Sequence, residues 1–340
     1  MFPILVPAAL ATVGAWWYVN AGVKIPAETD RIIDEVLAEK SLPNFISGKT
    51  GIAPSGDVNI WYESMMPEGT PKGTILLVMG YGTTALGWPP HFYEPLVEAG
   101  YQVVRYDNRG LGMSDWMKNW DKKNPYTLED MAKDGIAVLD ALGVEKAHII
   151  GASMGGMIAQ RMAISHSERV LTLTSIMSSG YMGDPELPPV HPSFRHNLYR
   201  LILKYMIRPN SRKAAKFGVG IRLALRGDGP YEIDLKRSVQ QSLYERHKRR
   251  GTNPKARDQH GAAIEASGSH LHELKHLKLP ILVVHGKSDP LVIFAHGKKS
   301  ASMMPNAKTL WIEGMGHDLP KMYAGEVLEA ILKNIEEVNV

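Results

Sequence analysis

Three residue types that cooperate in nucleophilic catalysis occur in this chain within short, glycine-marked segments. Ser153 sits in Gly151-Ala152-Ser153-Met154-Gly155-Gly156, Asp289 in His285-Gly286-Lys287-Ser288-Asp289-Pro290, and His317 in Gly314-Met315-Gly316-His317-Asp318. A serine hydroxyl is a weak nucleophile until a base removes its proton. A histidine does this well when a carboxylate holds its other ring nitrogen and stabilises the imidazolium. The three residues therefore predict attack of Ser153 on an acyl carbonyl, with His317 as the base and Asp289 as its orienting acid.

The flanking segments predict how these residues are placed. Ala147-His148-Ile149-Ile150 precedes Ser153 as an apolar strand, and Met154 to Ser165 follows as a helix. Gly-x-Ser-x-Gly between strand and helix is the context of a nucleophile elbow, a tight turn that lifts the hydroxyl out of the sheet. The helix start also turns backbone N–H groups toward the reacting centre. Strands over 280–284 and 308–312 run into Asp289 and His317, so both residues fall at C-terminal strand ends, where open α/β sheets bind ligands. No acidic residue occurs between Ser175 and Gly180, after the strand 170–176, which leaves Asp289 as the acid. The strand 74–79 ends in Gly80-Tyr81-Gly82-Thr83-Thr84. That loop, with the elbow helix, predicts an oxyanion hole made by the backbone N–H groups of Tyr81 and Met154.

Strands are also predicted at 58–62 and 102–106. Helices are predicted over 92–99, over 127–142 with Thr127 and Asp130 as a capping box, and over 325–338. The stretch after residue 23 predicts a short helix or linker. Strand and helix alternate as in a mostly parallel, twisted α/β sheet with right-handed crossovers. The alternation stops at 180–272, where prolines and basic helices predict a helical cap inserted into the core. The domain reading is thus an N-terminal segment 1–23, a linker 24–50, a core formed by 51–179 and 273–340, and a cap at 180–272.

Charge follows the same division. The 340 residues contain 39 Lys and Arg against 35 Asp and Glu, a net +4. Residues 181–272 hold 17 basic and 8 acidic residues, +9, which leaves 22 against 27, or −5, elsewhere. Within the cap, His196 to Arg208 predicts a hydrophobic helix with polar residues at 196, 200, 204 and 208 and nearly everything else apolar: a packed lid helix, or one that meets anionic lipid or an apolar substrate. The run "ERHKRRGTNPKAR" predicts a solvated face, and no nucleic-acid-binding module accompanies it. Asp107 to Ser114 predicts a structural turn organised by Arg109, and Asp318 is expected to point away from its neighbour His317. The chain has no cysteine, so disulfides and Cys-ligated metals are excluded. His272 and His276 share a helix face at i,i+4, but no third ligand joins them, and a solvated face is the expectation rather than a metal site.

Residues 2–19, "FPILVPAALATVGAWWYV", are uncharged and end in Trp16, Trp17 and Tyr18. Eighteen helical residues span about 27 Å, close to the ~30 Å of a hydrocarbon core. An N-terminal apolar helix that anchors the chain to a membrane is expected, with a signal peptide cleaved near Val19-Asn20-Ala21 as the rival.

"VMGYG", "YDNRGLGMSD", "GASMGG", "HGKSDPLV" and "GMGHDLP", in this order over residues 50–338, resemble the α/β-hydrolase family, in particular its esterase and lipase branch around the aclacinomycin methylesterases. Met79 stands where His is usual in the oxyanion loop. The resemblance implies an α/β-hydrolase fold with a helical cap, no cofactor, and hydrolysis of a small hydrophobic carboxylic ester. Ser153 argues against the dehalogenase and epoxide-hydrolase members, which carry Asp at the elbow. The same three residues would also serve a C–C bond hydrolase, a lactonase or a perhydrolase, and a ligand-binding protein could retain the pocket without turnover. Nothing in the sequence sets the oligomeric state.

Overall fold

A computed structural model describes residues 22–251 and 253–338. The expected apolar helix at 2–19, with Trp16, Trp17 and Tyr18, lies outside the described residues. Among these, no helix is long and apolar enough to cross a membrane.

Eight strands form one sheet: β1 (Lys49–Ser55), β2 (Val58–Met65), β3 (Thr74–Val78), β4 (Gln102–Tyr106), β5 (Ala147–Ala152), β6 (Val170–Ile176), β7 (Ile281–Gly286) and β8 (Lys308–Ile312). Their spatial order is β1-β2-β4-β3-β5-β6-β7-β8. The β1–β2 and β2–β4 pairs are antiparallel, and every pair from β4 onward is parallel. Strand order reverses at β3. The chain first winds outward to β4 and then returns to β5 on the other side, which opens a crevice beyond the C-terminal ends of β3 and β5.

Strands β3, β5 and β7 are buried along their whole length because both sheet faces are covered. Side chains alternate between two cores. Leu76, Val78, Val104 and Ile149 meet helices α3 (Leu128–Ala141) and α4 (Met154–Ser165) through Met131, Ile136, Ile158 and Met162. Ile75, Leu77, Val103 and Ile150 meet α2 (Pro90–Glu98) and α11 (Lys321–Glu336) through Phe92, Leu96, Val327 and Ile331. Helix α3 starts at the predicted capping box: the Asp130 N–H donates to Thr127 Oγ1, and the Thr127 N–H donates to Asp130 Oδ2.

Between β6 and β7 the chain forms only helices: α5 (Pro192–Leu201) continuing into a π-helical turn at Ile202–Met206, α6 (Ser211–Leu225), α7 (Leu235–Lys248), α8 (Ala256–Ser267) and the short α9 (Leu271–Leu274). The helix expected over 196–208 is present as far as Met206, its last turn π-helical, and it ends two residues early: backbone at Ile207 is extended, and Arg208 has φ +50°. Helix α1 (Glu28–Ala38) packs Ile32, Ile33 and Val36 on α6 and α7. The last connection, α10 (Phe294–Met303), returns to β8. Strand β1 was not anticipated: Gly51 and Pro54 interrupt its pattern, which an edge strand tolerates.

One ion pair crosses β2 and β4. Arg105 donates Nε to Glu63 Oε2 at 2.8 Å, and both side chains are almost wholly buried. Glu63 Oε1 accepts the N–H groups of Ser47 and Gly48 at 2.6 Å each, and Arg105 also reaches the Phe45 carbonyl at 2.6 Å. Removing one partner of such a pair strands the other charge, at a cost of about 3–5 kcal/mol. Arg105→Leu should lower the unfolding free energy extrapolated from urea titration by that amount, whereas replacing both residues, Arg105→Leu with Glu63→Leu, should recover part of the loss. Equal destabilisation by the single and double variants would refute the account.

Candidate active site

Ser153 occupies the turn between β5 and α4 with φ +58° and ψ −126°, a conformation rarely adopted by a residue with a Cβ. Its neighbours force it there. A Cβ at Gly151 would lie 2.1 Å from the Gly155 carbonyl oxygen, and one at Gly155 would lie 2.0 Å from the Val78 carbonyl oxygen. Only glycine permits α4 to start this close to β3 and β5. The Ser153 N–H donates to the Ile176 carbonyl at 2.9 Å, and Ser178 Oγ donates to the Ser153 carbonyl at 2.7 Å.

The loop after β3 rests against this turn, since a Cβ on Gly80 would come within 2.8 Å of the Ser153 Cβ. Every side of the loop is held. Asn108 Nδ2 donates to the Met79 carbonyl at 2.7 Å, the Ala85 N–H donates to Asp107 Oδ1 at 2.9 Å, and the Gly82 N–H donates to His260 Nδ1 at 3.2 Å. Thr84 Oγ1 donates to Glu245 on α7. Among the described residues the Tyr81 N–H has no acceptor within the protein. The Met154 N–H is the first of α4 and has no partner inside the helix by position.

Asp289 and His317 meet. His317 Nδ1 lies 2.7 Å from Asp289 Oδ2, and Asp289 Oδ1 accepts the N–H groups of Leu291 and Val292 at 2.8 and 2.9 Å. Burial alone would raise the Asp289 carboxyl, but the His317 charge and the bonds from His285 and His317 outweigh it and hold it at about 2. An ionised Asp289 accepts, so Nδ1 of His317 carries the proton and Nε2 presents its lone pair. The His317 loop is clamped from two directions. A Cβ at Gly286 would lie 2.1 Å from the Met315 carbonyl oxygen, and the His317 N–H donates 2.8 Å to the carbonyl of Leu225 at the end of α6. Ser153, Asp289 and His317 follow β5, β7 and β8, which run parallel, so all three stand on one rim of the sheet. No hydrogen bond joins the Ser153 hydroxyl to His317.

Several supporting residues were not visible in the sequence. His260 on α8 donates from Nε2 to the Arg109 carbonyl at 3.0 Å while its Nδ1 accepts from Gly82. Arg249 pairs with the buried Asp107, Arg250 stacks on Trp116, and Arg257 lies over Phe217. The stretch expected as a solvated basic face is thus partly turned inward, because these guanidinium groups find carboxylates and rings there. The turn at 107–114 is organised as expected, with Arg109 paired bidentately to Asp134 at 2.7 Å. Asp318 turns toward Tyr231, whose hydroxyl donates to it at 2.8 Å; burial raises the Asp318 carboxyl to about 6. His272 and His276 are exposed, and among the described residues no group of three or more His, Cys, Asp or Glu side chains could hold a metal ion. No spacing signals His260, Arg249 or Tyr231, because their partners are distant in the chain.

Residues 73–320 match the model of the alpha/beta hydrolase fold family. The chain belongs to that family. Among alpha/beta hydrolases it is similar to the rhodomycin D methylesterase of Streptomyces sp. (strain C5), at 29% identity over 286 residues, 80% of this chain and 93% of that protein. It is also similar to a 2-hydroxy-6-oxononadienedioate/2-hydroxy-6-oxononatrienedioate hydrolase of Paraburkholderia phymatum, at 27% identity over 293 residues, 85% and 93% of the two chains. A putative lipase from Acinetobacter baumannii AYE shares the fold with a TM-score of 0.67 at 16% identity, covering 93% of this chain and 98% of that one.

Burial lowers the His260 imidazole to about 4 from an ordinary 6.5. A histidine whose folded value is depressed contributes stability that is complete above 6.5 and is lost as pH falls toward 4. The difference amounts to about 3 kcal/mol at 1.36 kcal/mol per unit. Unfolding free energies measured from pH 7 to pH 4 should decline, and His260→Gln should flatten that decline while lowering stability at pH 7. An unchanged slope in the variant would show that folding does not depress the His260 imidazole and would refute the account.

Proposed function

We propose that this protein hydrolyses carboxylic esters through an acyl-enzyme on Ser153. The observation that carries this reading is the Asp289–His317 couple on the same rim as a serine held in a strained turn. In the reaction, Ser153 Oγ attacks the ester carbonyl and His317 Nε2 takes its proton. The N–H groups of Tyr81 and Met154 receive the negative charge on the tetrahedral oxygen. His317 then protonates the departing alkoxide. A water deprotonated by the same nitrogen attacks the acyl-enzyme carbonyl, and His317 then gives that proton to Ser153 Oγ as the carboxylic acid is released. Asp289 stays ionised throughout. The serine–histidine hydrogen bond is expected to close once substrate is bound, as catalytic contacts commonly do.

The ester is proposed to be hydrophobic. Leu225, whose carbonyl holds the His317 loop, and Leu291, two residues from Asp289, both belong to an apolar cluster built by Phe194, Leu201 and Phe217 of the cap. The methylesterase relatives support ester cleavage. The similarity to a 2-hydroxy-6-oxononadienedioate hydrolase favours a second reading, C–C bond hydrolysis by the same residues. Side-by-side turnover of p-nitrophenyl esters and a vinylogous 1,5-diketone separates the two.

We further read residues 2–19 as a membrane anchor, on their length, their lack of charge and their aromatic end. Full-length protein that resists carbonate extraction from membranes supports this. Protein that is soluble without detergent, or that begins near Gly22 when isolated from cells, refutes it.

Ser153→Ala should fold and lose about 10⁴-fold or more in ester turnover, together with all labelling by a fluorophosphonate probe. Asp289→Asn should lower kcat by about 10³–10⁴ because the imidazole loses its orienting acceptor. Retained turnover in either well-folded variant would overturn the assignment.

Ser153 also gives a test that needs no substrate. A non-glycine residue in such a conformation costs about 1–3 kcal/mol, which glycine does not pay in strain. Ser153→Gly should therefore unfold at higher temperature than Ser153→Ala, although glycine is ordinarily the less stabilising of the two.

A further inference from the structure

Eleven large apolar side chains are conspicuously exposed among the described residues, and four of them fall within nine positions of the cap: Tyr199 at 58%, Ile202 at 36%, Leu203 at 46% and Ile207 at 58%. Positions 199, 202 and 203 follow helical i, i+3, i+4 spacing, so they form one stripe. Leu201 and Tyr205 between them are buried and fasten the segment to the cap. The stripe is therefore an outward face of a packed element and not a badly packed core.

The surrounding charge has one sign. From Leu187 to Gly227 the sequence has nine Lys and Arg and no Asp or Glu. Arg212 and Lys216 pair with Asp30 and Asp34 of α1, and Arg195, Lys204 and Arg208 are exposed beside the stripe. An open cavity of about 430 Å³ adjoins it, lined by Lys24, Pro26, Asp30, Lys204, Tyr205 and Lys216 among others. Both features lie where the N-terminal run joins the folded protein. The Val23 N–H donates to Asn197 Oδ1 at 3.2 Å, and a Cβ on Gly22 would lie 2.9 Å from Arg200 Cδ.

We propose that this face of the cap lies in the headgroup layer of an anionic bilayer, with Tyr199, Ile202, Leu203 and Ile207 at the acyl boundary and Lys24, Lys204 and Arg208 at lipid phosphates. The combination of an apolar stripe with flanking cations is the pattern of an interfacial helix, and each cation near an anionic surface adds to the binding. The chain that meets the domain here is the uncharged run 2–19, which would bring this face down onto the membrane. The inference builds on the membrane reading of that run. It also places the outer surface of the cap at the lipid while Leu225 and Leu291, in the same apolar cluster as Tyr205, stand beside the His317 and Asp289 loops.

The absence of cysteine makes single-site labelling clean. Full-length Leu203→Cys carrying an environment-sensitive fluorophore is compared with Ile52→Cys, a 51% exposed position on the edge strand β1. Vesicles contain phosphatidylcholine alone or mixed with phosphatidylglycerol, with nitroxide-labelled acyl chains as quenchers. The proposal expects blue-shifted emission and quenching at 203 on the mixed vesicles, none at 52, and loss of the quenching with Lys204→Glu and Arg208→Glu together. Equal, weak quenching at both positions overturns it. Quenching at 203 that is as strong on phosphatidylcholine alone overturns the anionic assignment. A blue shift at 203 that grows with protein concentration without vesicles assigns the face to a second copy of the chain instead. Hydrolysis of a soluble ester, measured on the same samples, reports on the active-site reading separately, and carbonate extraction reports on the anchor.

Discussion

The site depends on how closely α4 approaches the sheet. The Gly155 Cα sits where any side chain would collide with the Val78 carbonyl, and Gly151 sits where one would collide with Gly155. Ser153 is caught between these contacts and takes a positive φ that costs about 1–3 kcal/mol. That cost is met elsewhere. Ile158, Met162 and Ala163 of α4 are wholly buried against β5, β3 and α3, and each large apolar side chain so placed is worth about 1.5–3 kcal/mol. Burial along one helix therefore outweighs strain at its first turn. The packing of α4 on the central strands thus fixes the geometry of the candidate site as well as the fold.

The remaining parts of the site are fixed by the cap. His260 of α8 accepts from the loop after β3, Glu245 of α7 and Arg249 just beyond it reach Thr84 and Asp107, and the end of α6 accepts from the His317 backbone. Burial pushes the Glu245 carboxyl up to about 7 despite Arg249 beside it. A desolvated acid of this kind is costly unless it is held in a network. The network here ties the cap to both loops that follow β3 and β4. The cap insertion therefore acts as a brace as well as a cover, and the loops it braces carry the residues proposed to act on substrate.

What was legible in the sequence was local. The elbow helix 154–165 and the strands 170–176 and 308–312 have the bounds that pattern alone assigns, because their apolar periodicity and their glycine and capping signals lie within a few residues. The Asp289–His317 contact was legible because strand ends point both residues to one rim. The cap was less so. Its helices are specified by partners far away in the chain: Arg249 by Asp107, His260 by Gly82 and Arg109, Tyr231 by Asp318. A basic run that finds buried carboxylates and rings looks, residue by residue, like a solvated face. The helix at 196–208 was legible as a helix up to Met206, but its π-helical last turn was not, since propensity does not register that turn.

The cap's excess of +9 follows the same logic. Arg212, Lys216 and Lys236 are matched by Asp30, Asp34 and Glu39 from α1 and the residue after it, and Arg249 by Asp107 and Glu245. Four of those partners lie outside the cap in sequence, three of them on the N-terminal segment around α1. The folded protein thus cancels part of the cap's charge with its own N-terminal helix. Screened surface pairs of this kind add little stability, so their main effect is on the field. By pairing the side that faces α1, they weight the cap's positive charge toward its outward face, where Arg195 and Arg208 stand exposed beside the apolar stripe. Segmental net charge therefore overstates the strength of the cap's field and understates its direction, and the direction is what selects a partner.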